Sequence, residues 1–200
     1  MPRLFNRMRS FLLYIIINCS GLNFQNKPRI TKWVITSGCS LKVDGSTNIN
    51  NFSCIISNYN QPDTIWVTRS INSPVQLSGN IQLDVQKFDC HNPIMTADLR
   101  KTLKAKAHPK LTIRFVSLAR YPGEAGHNIK GMVTIELAGT SKMFEVSYRV
   151  IAAESAGINL IGSRVIKFSD FNITPPRKLG GMIKTNNDLS VEFNLRMKVL

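Results

Sequence analysis

Acid is scarce in this chain. Its 200 residues hold 12 Asp and Glu against 26 Lys and Arg, a formal net charge of +14. No pair of carboxylates stands out as poised for acid–base work. Histidine occurs only three times, as His91, His108 and His127. None has the HxH or HExxH spacing of a metal site. Cys90 and His91 are adjacent, but neighbours on a strand point to opposite faces, which separates them as joint ligands or as a nucleophile–base pair. No glycine-rich loop precedes a helix as a phosphate cradle would. Gly180-Gly181 reads as a turn. The sequence therefore assigns no catalytic residue, no metal site and no cofactor.

Long apolar runs are also missing. The longest, Phe11 to Ile17, falls short of the roughly 20 residues of a membrane-spanning helix. It follows Arg3, Arg7 and Arg9 and precedes Cys19, Ser20 and Gly21. That order is the pattern of a secretory signal peptide over residues 1–21 and predicts a periplasmic or secreted protein. A lipoprotein anchor at Cys19 is the weaker alternative, because bulky, polar Asn18 stands where a small residue is wanted. Residues 22–31 read as a polar connector and 32–200 as one domain.

Most of the excess positive charge lies beyond the leader, and it attracts anionic surfaces, a membrane among them. The only local basic cluster is Arg100, Lys101, Lys104 and Lys106. No aromatic residues interleave with it as a nucleic-acid stacking platform requires, so a nucleic-acid partner is not expected. Cys39, Cys54 and Cys90 remain after the leader. In an oxidising compartment one disulfide is expected, and spacing leaves its pairing open. Monomer and homodimer both remain open.

What is present is alternation. From Asp188 to Leu200, Leu189, Val191, Phe193, Leu195, Met197 and Val199 share one face, and Ser190, Glu192, Asn194, Arg196 and Lys198 the other. A period of two predicts a strand with one dry side. The same signal recurs at Leu41–Val43, Ile81–Val85, Leu111–Phe115, Val133–Leu137 and Phe144–Val150, with shorter apolar segments at Phe52–Ile56, Thr64–Thr68 and Val165–Phe171. Residues 129–151 read as a hairpin. Only Thr96 to Ala107 looks helical, with Thr96 as a cap, Leu99 and Leu103 one turn apart, and His108-Pro109 as the stop. Eight to ten strands and one short helix predict an all-β, antiparallel up-and-down barrel of about eight strands, with a sandwich as the alternative.

Three segments then resemble the YceI-like family. They are Ser40–Val43 with Gly45 and Phe52; Met95 through Phe115, with Asp98-Leu99-Arg100 and His108-Pro109-Lys110-Leu111; and Gly131–Leu137 with Gly139-Thr140 and Asp170-Phe171-Asn172-Ile173. The sequence departs from the family pattern in lacking the early histidines, in His108 where Tyr is usual, and in Asn172 where Gly is typical. The resemblance implies a lipocalin-like barrel that holds a long lipid or polyisoprenoid amphiphile and is not an enzyme. The run 45–54 and Phe88-Asp89-Cys90 resemble a subgroup with paired cysteines, which implies a Cys54–Cys90 disulfide.

The expected apolar lining is Leu99, Phe115, Val133, Ile135, Phe144, Val146, Tyr148, Phe168, Phe193 and Leu195. Arg114, Arg149 and Arg164 are the expected contacts to a polar head. From alternation alone, the same aromatic residues either line a tunnel or fill it. The resemblance favours the tunnel. The alternative is an envelope interaction module with a filled core and a basic docking surface.

Overall fold

Strand follows strand from Arg29 to Val199. A computed structural model describes residues 27–122, 128–152 and 157–200. The leader read at 1–21, with Cys19, and residues 22–26 of the connector lie outside the described residues, as does His127. The strands are β1 (Arg29–Ile35), β2 (Cys39–Ser46), β3 (Asn51–Tyr59), β4 (Thr64–Arg69), β5 (Val75–Asp84), β6 (Lys110–Leu118), β7 (Asn128–Leu137), β8 (Thr140–Ala152), β9 (Gly157–Lys167), the short β10 (Arg177–Lys178) and β11 (Ile183–Lys184), and β12 (Asp188–Val199). The helix α1 spans Pro93–Thr102.

These pieces make an eight-walled closed barrel, because two walls are interrupted strands. β1 and β2 lie end to end along β12, at Trp33↔Val199 and Ser40↔Asn194. β4 and β3 lie end to end along them, at Trp33↔Ile65 and Val43↔Cys54. Every other long strand pairs antiparallel with its sequence neighbours, and β1 meeting β12 closes the ring. Lys32 and Leu200 extend that seam by exchanging backbone hydrogen bonds of 2.8 and 3.3 Å. The expected up-and-down barrel is therefore the fold, and the sandwich alternative is excluded.

The alternation works as read. Along β12, Leu189, Val191, Phe193, Leu195 and Met197 are buried while their neighbours are exposed or half-buried. The inward residues of all eight walls merge into one core. Each large aliphatic or aromatic side chain so buried contributes about 1.5–3 kcal/mol.

One wall needs a repair. β5 ends at Asp84, and a 3₁₀ turn at Val85–Lys87 takes the chain away from β3. Asp89 then returns and exchanges two backbone hydrogen bonds with Ile55, at 2.8 and 2.9 Å. The adjacent Cys54 and Cys90 form the disulfide, as the family resemblance implied. This clasp delivers the chain into α1, which crosses the barrel's end and buries Leu99 against the core.

Two local expectations are corrected. The helix starts three residues before Thr96, because Pro93 suits the first helical turn and the Asn92 side chain accepts the Met95 N–H at 3.0 Å. Thr96 instead accepts the Cys90 N–H, at 3.0 Å. The helix ends at Thr102, not Ala107. Lys104 turns left-handed, and the Lys104 and Ala105 N–H groups return to the Lys101 and Arg100 carbonyls, a Schellman close. The strand expected at 165–171 stops at Lys167. Phe168–Phe171 form a 3₁₀ turn, because Asp170 folds back onto the Lys167 N–H at 2.8 Å. Asn172, in glycine's usual place, takes the left-handed conformation that asparagine tolerates.

The Cys54–Cys90 bridge spans 36 residues of chain. Closing a loop of that length in the unfolded chain is worth about 3–4 kcal/mol. The double variant Cys54→Ser/Cys90→Ser is expected to lose stability of that order in equilibrium urea unfolding, with the mid-barrel strands intact by circular dichroism.

Candidate functional site

The barrel's two ends differ. At the end holding Arg29 and Leu200, Trp33 is fully buried beneath the edge of Tyr121, ring centroids 5.7 Å apart. The Arg69 guanidinium lies 4.1 Å from the centroid of the Tyr121 ring, a cation–π cap. Midway up, Tyr148 and Phe193 meet edge to face at 5.7 Å. Their fit depends on glycine. A Cβ on Gly162 would stand 2.6 Å from Phe193 Cζ and 2.9 Å from Tyr148 Cε1, and one on Gly131 would stand 2.8 Å from the Tyr148 ring. Two glycines on the strands flanking β8 thus make room for a transverse aromatic floor. Burial pushes the Tyr148 hydroxyl well above its ordinary pKa, so it stays neutral.

Above the floor the barrel is not full. A cavity of about 50 Å³ is bounded by Phe193, Val146, Ile135, Ile166 and Leu103, with Arg164 at its side. A smaller void of about 10 Å³ lies lower, beside Cys39 and Leu195. Among the described residues the cavity and the lower void are separate spaces, with Leu41, Ile113 and Phe193 bordering both. The tunnel favoured by the family resemblance is shortened to the upper half, because the aromatic side chains that could have lined it lie across it.

A further apolar space, about 300 Å³, lies at the mouth beside the first turns of α1. Three elements wall it. The hairpin between β2 and β3 supplies Ile49 and Phe52; the first turns of α1 supply Ile94, Met95 and Leu99; the segment leading to β12 supplies Phe168, Pro176 and Ile183. Polar contacts hold these walls at their spacing. The Asn48 amide donates to the Met182 carbonyl at 2.9 Å and its oxygen accepts the Lys184 N–H at 2.8 Å. Lys178 reaches across to Asp98 on α1 at 2.6 Å. Ile49, Ile94, Leu179 and Met182 remain largely exposed around the opening. Leu99 is the one side chain that borders both the vestibule and the interior cavity, so it partitions them.

The residues expected as lining divide by height. Phe168 borders the vestibule; Leu99 borders both spaces; Ile135, Val146 and Phe193 border the interior cavity; Leu195 borders the lower void. Phe115, Val133, Phe144 and Tyr148 are packed core. Among the three arginines, only Arg164 borders a cavity. Arg114 and Arg149 alternate with buried neighbours and project from the outer wall, which puts them away from both spaces. Strand alternation identified the inward residues but missed Ile49, Ile94, Met95, Pro176, Lys178 and Ile183. These lie on a hairpin turn, a helix start, a loop and two two-residue strands, which share no periodic signal. The one cue was the density of punctuation there, Asn92-Pro93 and Gly180-Gly181.

Among the described residues, no three His, Cys, Asp or Glu side chains gather as metal ligands. His91 is exposed beside the disulfide, and His108 packs over the Gly139 turn.

A closed antiparallel barrel with a helix and an apolar vestibule at one mouth is the class of fold that this structure defines. The chain belongs to the YceI-like domain family, whose model matches residues 31–197. Similar solved structures include BcnA of Burkholderia cenocepacia, at 17% identity and TM-score 0.60, covering 81% of this chain and 96% of that one. A polyisoprenoid-binding domain from Saccharophagus degradans, implicated in plant cell wall breakdown, matches at 13% identity and TM-score 0.58, covering 84% and 98%. These likenesses are of fold. No curated protein sequence matches the chain.

Asp170 secures the vestibule's deepest wall. It accepts from Lys142 at 2.5 Å and from the Lys167 N–H, and so holds the turn carrying Phe168 and Phe171 against β8. Partial burial raises its carboxyl, but these donors outweigh burial and hold it below the ordinary range. Its stabilising contribution is therefore full above about pH 3.9, the unfolded value, and is lost as pH falls through the lower folded value. Asp170→Asn is expected to cost about 1 kcal/mol at neutral pH and to remove that part of the acid-side decline. Urea unfolding across the acid range measures both.

Proposed function

We propose that this protein binds a hydrophobic amphiphile, with the tail in the vestibule and the upper barrel, and that it acts as a carrier or sequestering protein rather than an enzyme. The observation that carries the reading is the vestibule itself, about 300 Å³ of mostly aliphatic and aromatic surface held open by polar contacts between its walls. That volume sits at the low end of small-molecule pockets, roughly 300–1,000 Å³. Each methylene moved there from water contributes about 0.8 kcal/mol.

The size argues for one short chain, or the terminal units of a longer polyisoprenoid, rather than a long lipid swallowed whole. The aromatic floor leaves no room below. The Saccharophagus degradans neighbour, a polyisoprenoid-binding domain by name, supports a ligand of this class. The basic, then apolar, then small-residue leader at 1–21 supports export to a periplasmic or extracellular site, where such a carrier would move a lipid through water.

A second reading takes its support from the exposed Ile49, Ile94, Leu179 and Met182 and from the excess of basic residues. In it the same end docks on an anionic membrane and the barrel serves only as a rigid support.

Organic-solvent extraction of the purified protein with mass spectrometry is expected to release an amphiphile in near-stoichiometric amount. Met95→Trp, which fills the vestibule, is expected to weaken binding of a fluorescent fatty-acid probe about tenfold, equivalent to about 1.4 kcal/mol, with thermal stability little changed. An empty extract together with no saturable probe binding would remove the carrier reading and leave the docking module.

A further inference from the structure

The wall between β8 and β9 is incomplete. Their ladder runs from Ala152↔Ile158 to Ser147↔Ser163 and stops there. Both strands continue. β8 reaches Thr140 against β7, and β9 reaches Lys167 against β12. Beyond Ser147 and Ser163 the two facing edges have no backbone partner in each other among the described residues. Higher up, Phe171 packs on Phe144 at 5.8 Å, and the Lys142–Asp170 pair crosses from β8 to the turn after β9. The split is thus bridged at its top and open below.

Arg164 stands at the open part. Strand parity places it on the inner face, with Leu160, Gly162 and Ile166, which are all buried. Its cross-strand neighbour Val191 is buried too. Yet Arg164 is exposed, and it also borders the interior cavity, whose other walls are apolar. A charged side chain facing a sealed apolar interior would be expensive. One that faces inward and still meets water marks an opening. No carboxylate pairs with Arg164 among the described residues.

We infer that this split is a lateral port into the barrel, and that Arg164 there binds the anionic head group, a carboxylate or phosphate ester, of the amphiphile. The inference rests on the binding reading above and names the head-group class that reading leaves open. A guanidinium presents forked donors that match the paired oxygens of carboxylate and phosphate. Lys142 and Lys167 flank the port on its two strands; each already faces an acid, Asp170 at 2.5 Å and Asp188 at 4.0 Å, which leaves Arg164 as the unmatched cation. From Arg164 the tail points to Val146, Ile166 and Phe193. The way onward is toward Leu99, the side chain that separates the cavity from the vestibule.

Laurate, lauryl phosphate and lauryl alcohol, titrated separately into the full chain against a fluorescent displacement probe, test the inference. The two anions are expected to bind about tenfold more tightly than the alcohol. Arg164→Gln is expected to weaken the anions about tenfold more than it weakens the alcohol. Arg149→Gln, on the outer wall, is expected to keep the preference. The port assignment is overturned if the preference survives Arg164→Gln, if it disappears instead with Lys178→Gln at the mouth, or if inorganic phosphate binds as tightly as lauryl phosphate. If the alcohol binds and the anions gain nothing, the head-group assignment fails while the carrier reading stands. If none of the three binds, the carrier reading falls and the port falls with it.

Discussion

The clasp at Ile55 and Asp89 is the constraint on which the upper barrel depends. β3 and β5 share no ladder, so the wall would gape where the chain turns toward α1. Two backbone hydrogen bonds and the Cys54–Cys90 disulfide restore that wall and fix the direction in which the helix leaves it. Because α1 starts three residues beyond Cys90, its Leu99 falls over the bore rather than beside it. The partition between vestibule and cavity is thereby a consequence of a covalent tie one strand away.

Below the interior cavity the same barrel is nearly filled. Large aromatic side chains lie crosswise, and Gly131 and Gly162 give up their own side chains so that Tyr148 and Phe193 can do so. The two halves serve different ends. A dense lower half supplies core burial and rigidity. An upper half closed only by a helix, a turn and a few polar contacts keeps space that a guest can use. Binding surface is placed where the backbone is irregular, which is the usual division between a scaffold and the loops it carries.

Much of this was legible beforehand. The alternation in Asp188–Leu200 and in the 129–151 hairpin identified inward and outward faces, since side-chain direction in a strand is a local property. The order of segments such as Asp98-Leu99-Arg100 and Asp170-Phe171 pointed to the family, and with it to Cys54–Cys90. Helix limits were less legible. Thr96 looked like a cap, but the stronger combination was Asn92 with Pro93, and a lysine closed the helix where glycine would have announced it. The vestibule was not legible, because Ile49, Ile94 and Ile183 come from a hairpin turn, a helix start and a two-residue strand. Arg114, Arg149 and Arg164 looked alike in sequence. Their fates differ because Arg114 and Arg149 fall on the outward face of their strands, whereas Arg164 falls in parity with the buried residues of β9, just where that strand loses one partner beyond Ser163.

The sequence by itself determined that about eight strands would have a dry and a wet side and favoured a ring over a sandwich, because a period of two and a chain of adjacent antiparallel strands leave few other ways to bury the apolar face. Only the tertiary structure decided where along the barrel the interior is filled and where it is open. Alternation specifies a side chain's face but not its height, nor which strand edge goes unpaired. Those follow from register, from side-chain volumes meeting across the bore, and from where a disulfide lets a helix rest.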